Sequence, residues 1–133
     1  MAKAVKSKLL SFSMDDRAGL LSEVTTLLAG AGVNITAICA YAWDDTAYFD
    51  MTTENNAKAR KTIAGLGVTI EEDEVIAVEM PNKAGELHKV AQGIAGAGIN
   101  ITYMYGTTST GRTSTCLFST SDNKKALRLI NKS

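Results

Sequence analysis

The sequence predicts an α+β protein built from two similar halves in tandem, and three observations support this prediction. Residues 16–36 and 82–102 align at a constant offset of 66, with eleven of twenty-one positions identical. Both copies carry the same order of short β-prone runs and amphipathic helices. The composition, 45% hydrophobic over 133 residues, is that of a globular protein. Duplication of one small domain therefore accounts for the chain.

The elements of the first copy follow from its apolar spacing. Alternating residues in Leu9–Met14 predict a strand, and apolar positions at helical spacing over 20–31 predict the helix after it. The Gly-Ala-Gly at 30–32 is suited to end that helix. There follow a strand over 33–43, a turn, a strand over 47–53, a helix over about 55–66, a short last strand at 68–70 and an acidic link at 71–74.

The second copy repeats this order but stops early. Its elements are a strand over 75–80, a helix from Leu87, a strand over 99–107, a turn at 109–111, a strand over 114–120 and a helix over about 122–131. The pattern β-α-β-β-α-β is that of ferredoxin-like folds. We therefore predict two ferredoxin-like βαββαβ domains, residues 1–73 and 74–133, the second lacking its last strand. The edge left open needs cover from the other copy, the N-terminal extension or another subunit.

Charge and composition exclude several classes of protein. Fourteen Lys and Arg residues balance fourteen Asp and Glu residues, which argues against nucleic-acid binding. The longest apolar runs are too short to span a membrane. The N-terminus lacks the apolar segment of a secretory signal, and two cysteines are too few for a disulfide scaffold. We expect a cytoplasmic protein.

The turn between the first strand and first helix of each copy has the chemistry of a small-molecule site. The start of a helix exposes backbone N–H groups beside the positive end of its dipole, which suits a carboxylate. Gly19 and Gly85 in these turns allow close approach of a ligand. Asn34 and Asn100, which open the next strand, offer an acceptor for an ammonium and a donor for a carboxylate.

The duplicated pattern [DN]xxGxL, helix, GAG[VI]NI resembles a tandem ACT-domain protein of the small, stand-alone, amino-acid-binding kind. In that family a turn Gly and an Asn-Ile pair recur, and here Gly19 and Gly85 each precede such a pair by fifteen residues. Ala18 and Ala84 stand where many relatives carry proline. The resemblance implies an amino-acid ligand at domain interfaces, no cofactor, and an unidentified metabolic enzyme as a further partner. A homodimer is expected because one chain exposes a sheet face and at least one unpaired strand edge.

The resemblance also implies the ligand-binding residues. Many ACT domains that bind serine-like effectors have Asn three residues before the turn Gly, a position held here by Asp16 and Asn82. Asn82 and Asn100 are thus the better-matched pair, whereas Asp16 and Asn34 would favour an ammonium or stay empty. The implied set is Asp16, Arg17, Ala18, Gly19, Leu20, Leu21, Asn34, Ile35, Asn82, Lys83, Ala84, Gly85, Glu86, Leu87, Asn100 and Ile101.

Purely structural roles are open for the same residues. Asp16 and Asn82 are also suited to cap a helix N-terminus. Asn34 and Asn100 are suited to bond local backbone groups after a helix end. Tyr103, Tyr105 and Arg112 are secondary ligand candidates that core packing or surface exposure explains nearly as well.

Catalysis and ligand-free assembly are the two other classes of function. Catalysis is not expected, because the single histidine, His88, lies within a helix where the first copy has Ser22, and no catalytic or metal-binding motif is present. A ligand-free assembly module that regulates an enzyme by association is the alternative. Residues 1–73 carry seven basic and ten acidic residues, whereas 74–133 carry seven and four, a polarity that would help chains pair. The prediction is a non-catalytic regulatory protein that binds an amino acid.

Overall fold

The computed structural model describes residues 1–107 and 110–132, and it contains six antiparallel strands and four helices. Of the predicted turn at 109–111, Ser109 lies outside the described residues. The helices that the structure describes are all too short or too polar to cross a membrane. The elements are β1 (Lys3–Asp15), α1 (Leu20–Gly30), β2 (Ile35–Trp43), β3 (Thr46–Thr53), α2 (Asn56–Ala64), β4 (Glu71–Pro81), α3 (Glu86–Gly96), β5 (Ile101–Thr107), β6 (Thr113–Thr120) and α4 (Asn123–Lys132).

The chain divides into two compact units, each centred on one copy of the repeat. Residues Lys8–Asp73 form the first-copy unit, and Met1–Ser7 joins the chain from Glu74 onward to form the second-copy unit. Residues 1–7, which fall within the predicted first domain of residues 1–73, thus belong to the second-copy unit. The longest strands, β1 and β4, each supply residues to both units.

The first-copy unit is an antiparallel sheet with helices on one face. Its strand order is β2, β3, β1 and the start of β4, with Phe12 paired to Phe49 and Met51 to Ile38. Asp44 and Asp45, both with positive φ, form the two-residue hairpin turn between β2 and β3. The buried core beneath α1 and α2 consists chiefly of Leu10, Phe12, Leu20, Val24, Leu28, Phe49, Met51 and Ile63.

The last strand of the first copy begins later than the sequence predicts. The sequence predicts a strand at 68–70 and an acidic link at 71–74, but the strand β4 begins at Glu71 and runs through that link. The prediction of a strand at 68–70 is wrong because these apolar residues reflect packing in the core and not pairing in the sheet. Ile70 is 8% exposed and packs in the core, and its carbonyl accepts a hydrogen bond from Arg60 Nη2 at 3.1 Å.

The second-copy unit has the same architecture, and the N-terminal extension completes it. Its strand order is β1, β4, β6 and β5, in which β1 contributes its first residues. Ala4 is 4% exposed and packs in a core with Ile76, Val78, Ile94, Phe118 and Ile130. Residues before the first predicted strand therefore occupy the place of the last strand that the second copy lacks. Of the three covers considered for that edge, the extension is the one observed.

Candidate functional site

The turn of the second copy is held against the hairpin that joins β5 to β6. The backbone N–H of Asn82 donates to the carbonyl of Arg112 at 2.8 Å, and Asn82 Nδ2 donates to the carbonyl of Gly111 at 3.1 Å. The N–H of Lys83 donates back to the Pro81 carbonyl at 3.0 Å. These bonds fix the backbone on both sides of the exposed Lys83 side chain.

Glycine caps the helix after each of these turns. Gly85 precedes α3 with φ +90°, and Gly19 precedes α1 with φ +84°; neither helix start receives a side-chain hydrogen bond. The capping role considered for Asp16 and Asn82 is therefore wrong, because the N-cap position lies three residues further on. Positive φ explains why glycine occupies both positions, since a side chain there would strain the backbone.

The first-copy turn is similar in backbone but different in its side chains. The N–H of Asp16 donates to the Asp45 carbonyl at 2.9 Å. Arg17 forms an ion pair with Glu23 at 2.5 Å, and Leu20 is buried in the core. At the matching positions of the second copy stand Lys83, Lys89 and Glu86. Within the described part of the chain, Lys83 makes no ion pair.

Asn34 and Asn100 lie at the opposite end of their sheets from the turns. The backbone N–H of Asn100 donates to Ser121 Oγ at 3.0 Å, and Asn34 Nδ2 donates to Glu54 Oε1 at 3.1 Å. The full length of β6 separates Ser121 from Arg112, the turn's neighbour, which is about 25 Å for a strand of this size. Within one unit, therefore, Asn82 is not close to Asn100, and Asp16 is not close to Asn34.

The remaining residues of the implied set divide between core and surface. Ile35 and Ile101 are half-buried against the two cores. Leu21 and Leu87 are exposed, at 52% and 44%, on the first turns of their helices. Ala18 and Ala84 are exposed in the turns.

A cavity of about 360 Å³, partly open to solvent, lies at the surface of the second-copy unit, directly against its turn. Asn82, Lys83, Glu86 and Leu87, all residues of the implied set, line one side of it. The other side is formed by strand residues that the sequence analysis did not identify, chiefly Met80, Met104, Gly106 and Cys116. Such a cavity, with charged groups at one end and an apolar floor, is of the size and composition that small-molecule sites have.

The charged side of this cavity carries both negatively and positively charged groups. Glu86 accepts a salt bridge from Lys89 Nζ at 2.8 Å. The hydrogen bond from Lys89 is the largest cause and lowers the pKa of the Glu86 carboxyl. Burial, the next largest, opposes it, and the nearby charges of Lys89 and Lys83 lower the pKa further. Glu86 is thus a carboxylate at neutral pH, and Lys83 offers an ammonium beside it.

Two other cavities contain fewer residues of the implied set, although the larger of them also has both charges, in Glu86 and Lys89, beside an apolar lining. One of about 610 Å³ lies between α3 and α4 in the second-copy unit and is lined by Val90, Ile94 and Ile130; from the implied set it contains Glu86, beside its partner Lys89. One of about 290 Å³ lies on the sheet of the first-copy unit and is lined by Ser11, Tyr41, Tyr48 and Asp50, with none of the implied residues. The larger volume therefore does not mark the better site.

The secondary candidates do not line the cavity at the turn. Tyr103 and Tyr105 are half-buried, and Arg112 is exposed and contributes a backbone carbonyl to the turn. His88 is exposed on α3, as expected. Within residues 1–107 and 110–132, no three His, Cys, Asp or Glu side chains are grouped to hold a metal ion.

Comparison with known proteins gives a family and a fold. The family model described as ACT domain pair matches residues 5–133. No curated protein is significantly similar. A solved Bacteroides thetaiotaomicron protein is 25% identical, with a TM-score of 0.88 over 97% of this chain and 89% of that one.

Two solved proteins of lower identity share the fold. The regulatory subunit of aspartate kinase from Thermus thermophilus, in its ligand-free form, is 14% identical, with a TM-score of 0.71 over 98% of this chain and 95% of that one. Aspartokinase III of E. coli, in complex with lysine and aspartate, is 16% identical, with a TM-score of 0.60 over 98% of this chain and 31% of that one.

Proposed function

The chain belongs to the ACT domain pair family, and from this premise we propose that it is a non-catalytic regulatory protein that binds a free amino acid at the turn of its second copy. The cavity beside Asn82, Lys83 and Glu86 is the observation that carries the proposal. An amino acid presents a carboxylate and an ammonium a few ångströms apart. Lys83 pairs with the first, Glu86 with the second, and the start of α3 adds its dipole on the side of the carboxylate.

Two features favour the second copy over the first. Arg17, the counterpart of Lys83, is already paired with Glu23. Leu20, the counterpart of Glu86, is 4% exposed in the core and offers no charge to an ammonium. The first-copy turn therefore has a paired cation in Arg17 and no carboxylate at the position of Glu86, so it has no partner for an ammonium.

The solved relatives support a regulatory role. One is the regulatory subunit of aspartate kinase, and another is aspartokinase III in complex with lysine and aspartate. On this basis we propose that the amino acid controls a metabolic enzyme, with the present chain acting as its separate sensor. The free thiols of Cys39 and Cys116 are consistent with action in the reducing cytoplasm.

We also propose a homodimer in which a second copy of the chain completes the site. The length of β6, about 25 Å, separates Asn100 from the turn of its own unit, so Asn100 does not reach a ligand held there, and in the proposed dimer an asparagine of another chain supplies that contact. The ligand then strengthens the association of the two chains. Light scattering with and without the amino acid tests this arrangement, and a monomer at tens of micromolar in both conditions would contradict it.

A thermal-shift screen against the twenty amino acids tests the ligand. At about 100 times its dissociation constant, a ligand adds about 2.7 kcal/mol to stability. Lys83→Gln should remove most of the shift, whereas the matched first-copy variant Arg17→Gln should keep it. The proposal fails if no amino acid raises the melting temperature, or if Lys83→Gln and Arg17→Gln respond alike.

A further inference from the structure

The two copies differ most in what lies beneath their turns. In the first-copy unit, Phe12 and Phe49 pair across β1 and β3 and stack with ring centroids 5.0 Å apart and planes at 7°. In the second-copy unit the corresponding pair across β4 and β6 is Val78 and Cys116. An aromatic stack in one copy is thus replaced by two small side chains in the other.

The neighbouring strand adds to this difference. Gly106 on β5 pairs with Cys116, and a Cβ built on Gly106 would lie 2.6 Å from Cys116 Sγ. The first copy has Ala40 at the position of Gly106. Both Gly106 and Cys116 line the cavity of about 360 Å³, so the small residues at these two positions keep its floor open.

The residues that line the cavity become less polar with distance from the turn. Thr107 and Ser114 lie near the charged turn, because β5 ends and β6 begins there. Further along the same strands lie Met104, Gly106 and Cys116. Thioethers and a thiol are weak hydrogen-bonding groups, and burial raises the pKa of the Cys116 thiol and so keeps it neutral. A polar group placed against Met80 and Cys116, which are 2% and 6% exposed, would lose its water without gaining a strong hydrogen-bonding partner.

We propose that the cavity receives the side chain of the bound amino acid and selects a large apolar one, of the leucine, methionine or phenylalanine class. This inference rests on the proposed function, because it assumes that Lys83 and Glu86 hold the carboxylate and ammonium. The side chain then points away from the turn, along the strands, onto Met104 and Cys116. Flexible methionines at positions 80 and 104 adjust to side chains of different shape.

Calorimetric titration of the intact protein with matched amino acids tests the selection. Leucine, methionine and phenylalanine are compared with alanine, serine and aspartate, and the best large apolar ligand should bind at least about tenfold more tightly than alanine, as expected for several methylene groups in an apolar pocket. Met104→Gln should weaken binding of that ligand by about tenfold. The matched variant Ile38→Gln alters the same strand position of the first copy, 39% exposed against 37%, and should change binding less than about twofold.

A second variant keeps the test independent of Met104. Cys116→Leu fills the floor and should abolish preference for large side chains while alanine still binds, with circular dichroism confirming the fold. If serine, aspartate or alanine binds as tightly as leucine, the selection is overturned and the proposed function stands. If no amino acid binds, both fail. If Ile38→Gln weakens binding as much as Met104→Gln, the side chain does not enter this cavity.

Discussion

Ala4 and Asn131, which lie near the two ends of the chain, are joined by two hydrogen bonds. The N–H of Ala4 donates to Asn131 Oδ1 at 2.7 Å, and Asn131 Nδ2 donates to the carbonyl of Ala4 at 2.9 Å. One side chain thus satisfies both backbone groups of a residue in the strand that completes the second-copy unit. The site depends on this connection, because the same unit holds the cavity and the turn.

Loss of the Asn131 amide should destabilise the second-copy unit. Asn131→Ala leaves both polar groups of the buried Ala4 backbone without this partner, which should lower the free energy of unfolding by about 1–3 kcal/mol. Urea denaturation measures the effect. The neighbouring Lys132→Ala should stay within about 0.5 kcal/mol of the parent, since Lys132 is exposed. Equal stability of the two variants would contradict this role for Asn131.

Adjacent residues of the N-terminal strand should respond very differently to a charge. Ala4 is 4% exposed and Val5 is 61% exposed. Ala4→Asp places a carboxylate against the core and should cost more than about 2 kcal/mol, because the charge loses its water. Val5→Asp should cost about 1 kcal/mol or less, through β-propensity alone. Similar melting temperatures for both variants would show that residues 3–7 do not complete the sheet in solution.

Replacement by alanine should change the free energy of unfolding in opposite directions at two glycines of the second copy. Gly85→Ala forces a side chain to φ +90° and should cost about 1–2 kcal/mol, although space for a Cβ is present. Gly93→Ala, in the middle of α3 and also with open space around it, should add about 1 kcal/mol through helix propensity. If both variants raised or both lowered the melting temperature in thermal unfolding, the assignment of Gly85 as the N-cap of α3 would be refuted.

Glu86 should titrate below the usual range of glutamate. The hydrogen bond from Lys89 is the main cause of the lowered pKa in the folded state. The pair therefore contributes to stability above the pKa of the unfolded chain, and the contribution is lost as pH falls through the lowered, folded-state pKa. In an NMR titration, Lys89→Gln should move the Glu86 midpoint upward. An unchanged midpoint would contradict the attribution to Lys89.

Much of the fold was predictable because both copies obey the same local rules. The offset of 66 aligned the helix-ending glycines at 30–32 with those at 96–98, and the structure ends α1 and α3 at Gly30 and Gly96. The sequence left open which of three covers completes the second copy, and so did not single out residues 3–7. A short run with three lysines among six residues, Lys3 to Lys8, gives a weak strand signal, and its pairing is decided by an edge that lies about 70 residues further along the chain.

The candidate site was predicted in part. The turn residues followed from helix-end chemistry and a family resemblance, but Met104, Gly106 and Cys116 did not, because nothing local distinguishes a cavity floor from ordinary core. A comparison of aligned positions held the missing signal, since Phe49 corresponds to Cys116 and Ala40 to Gly106. Aligned positions that lose volume together indicate space in one copy that is filled in the other.

The most direct test of the central claim is to locate the amino acid by NMR. The backbone amides of the intact protein are assigned, and leucine or the best ligand from the screen is added to saturation. The largest shifts should fall on residues 82–87 and on Met104, Gly106 and Cys116, and residues 16–21 should change little. Shifts centred on 16–21, or no shifts with any amino acid, would contradict the central claim.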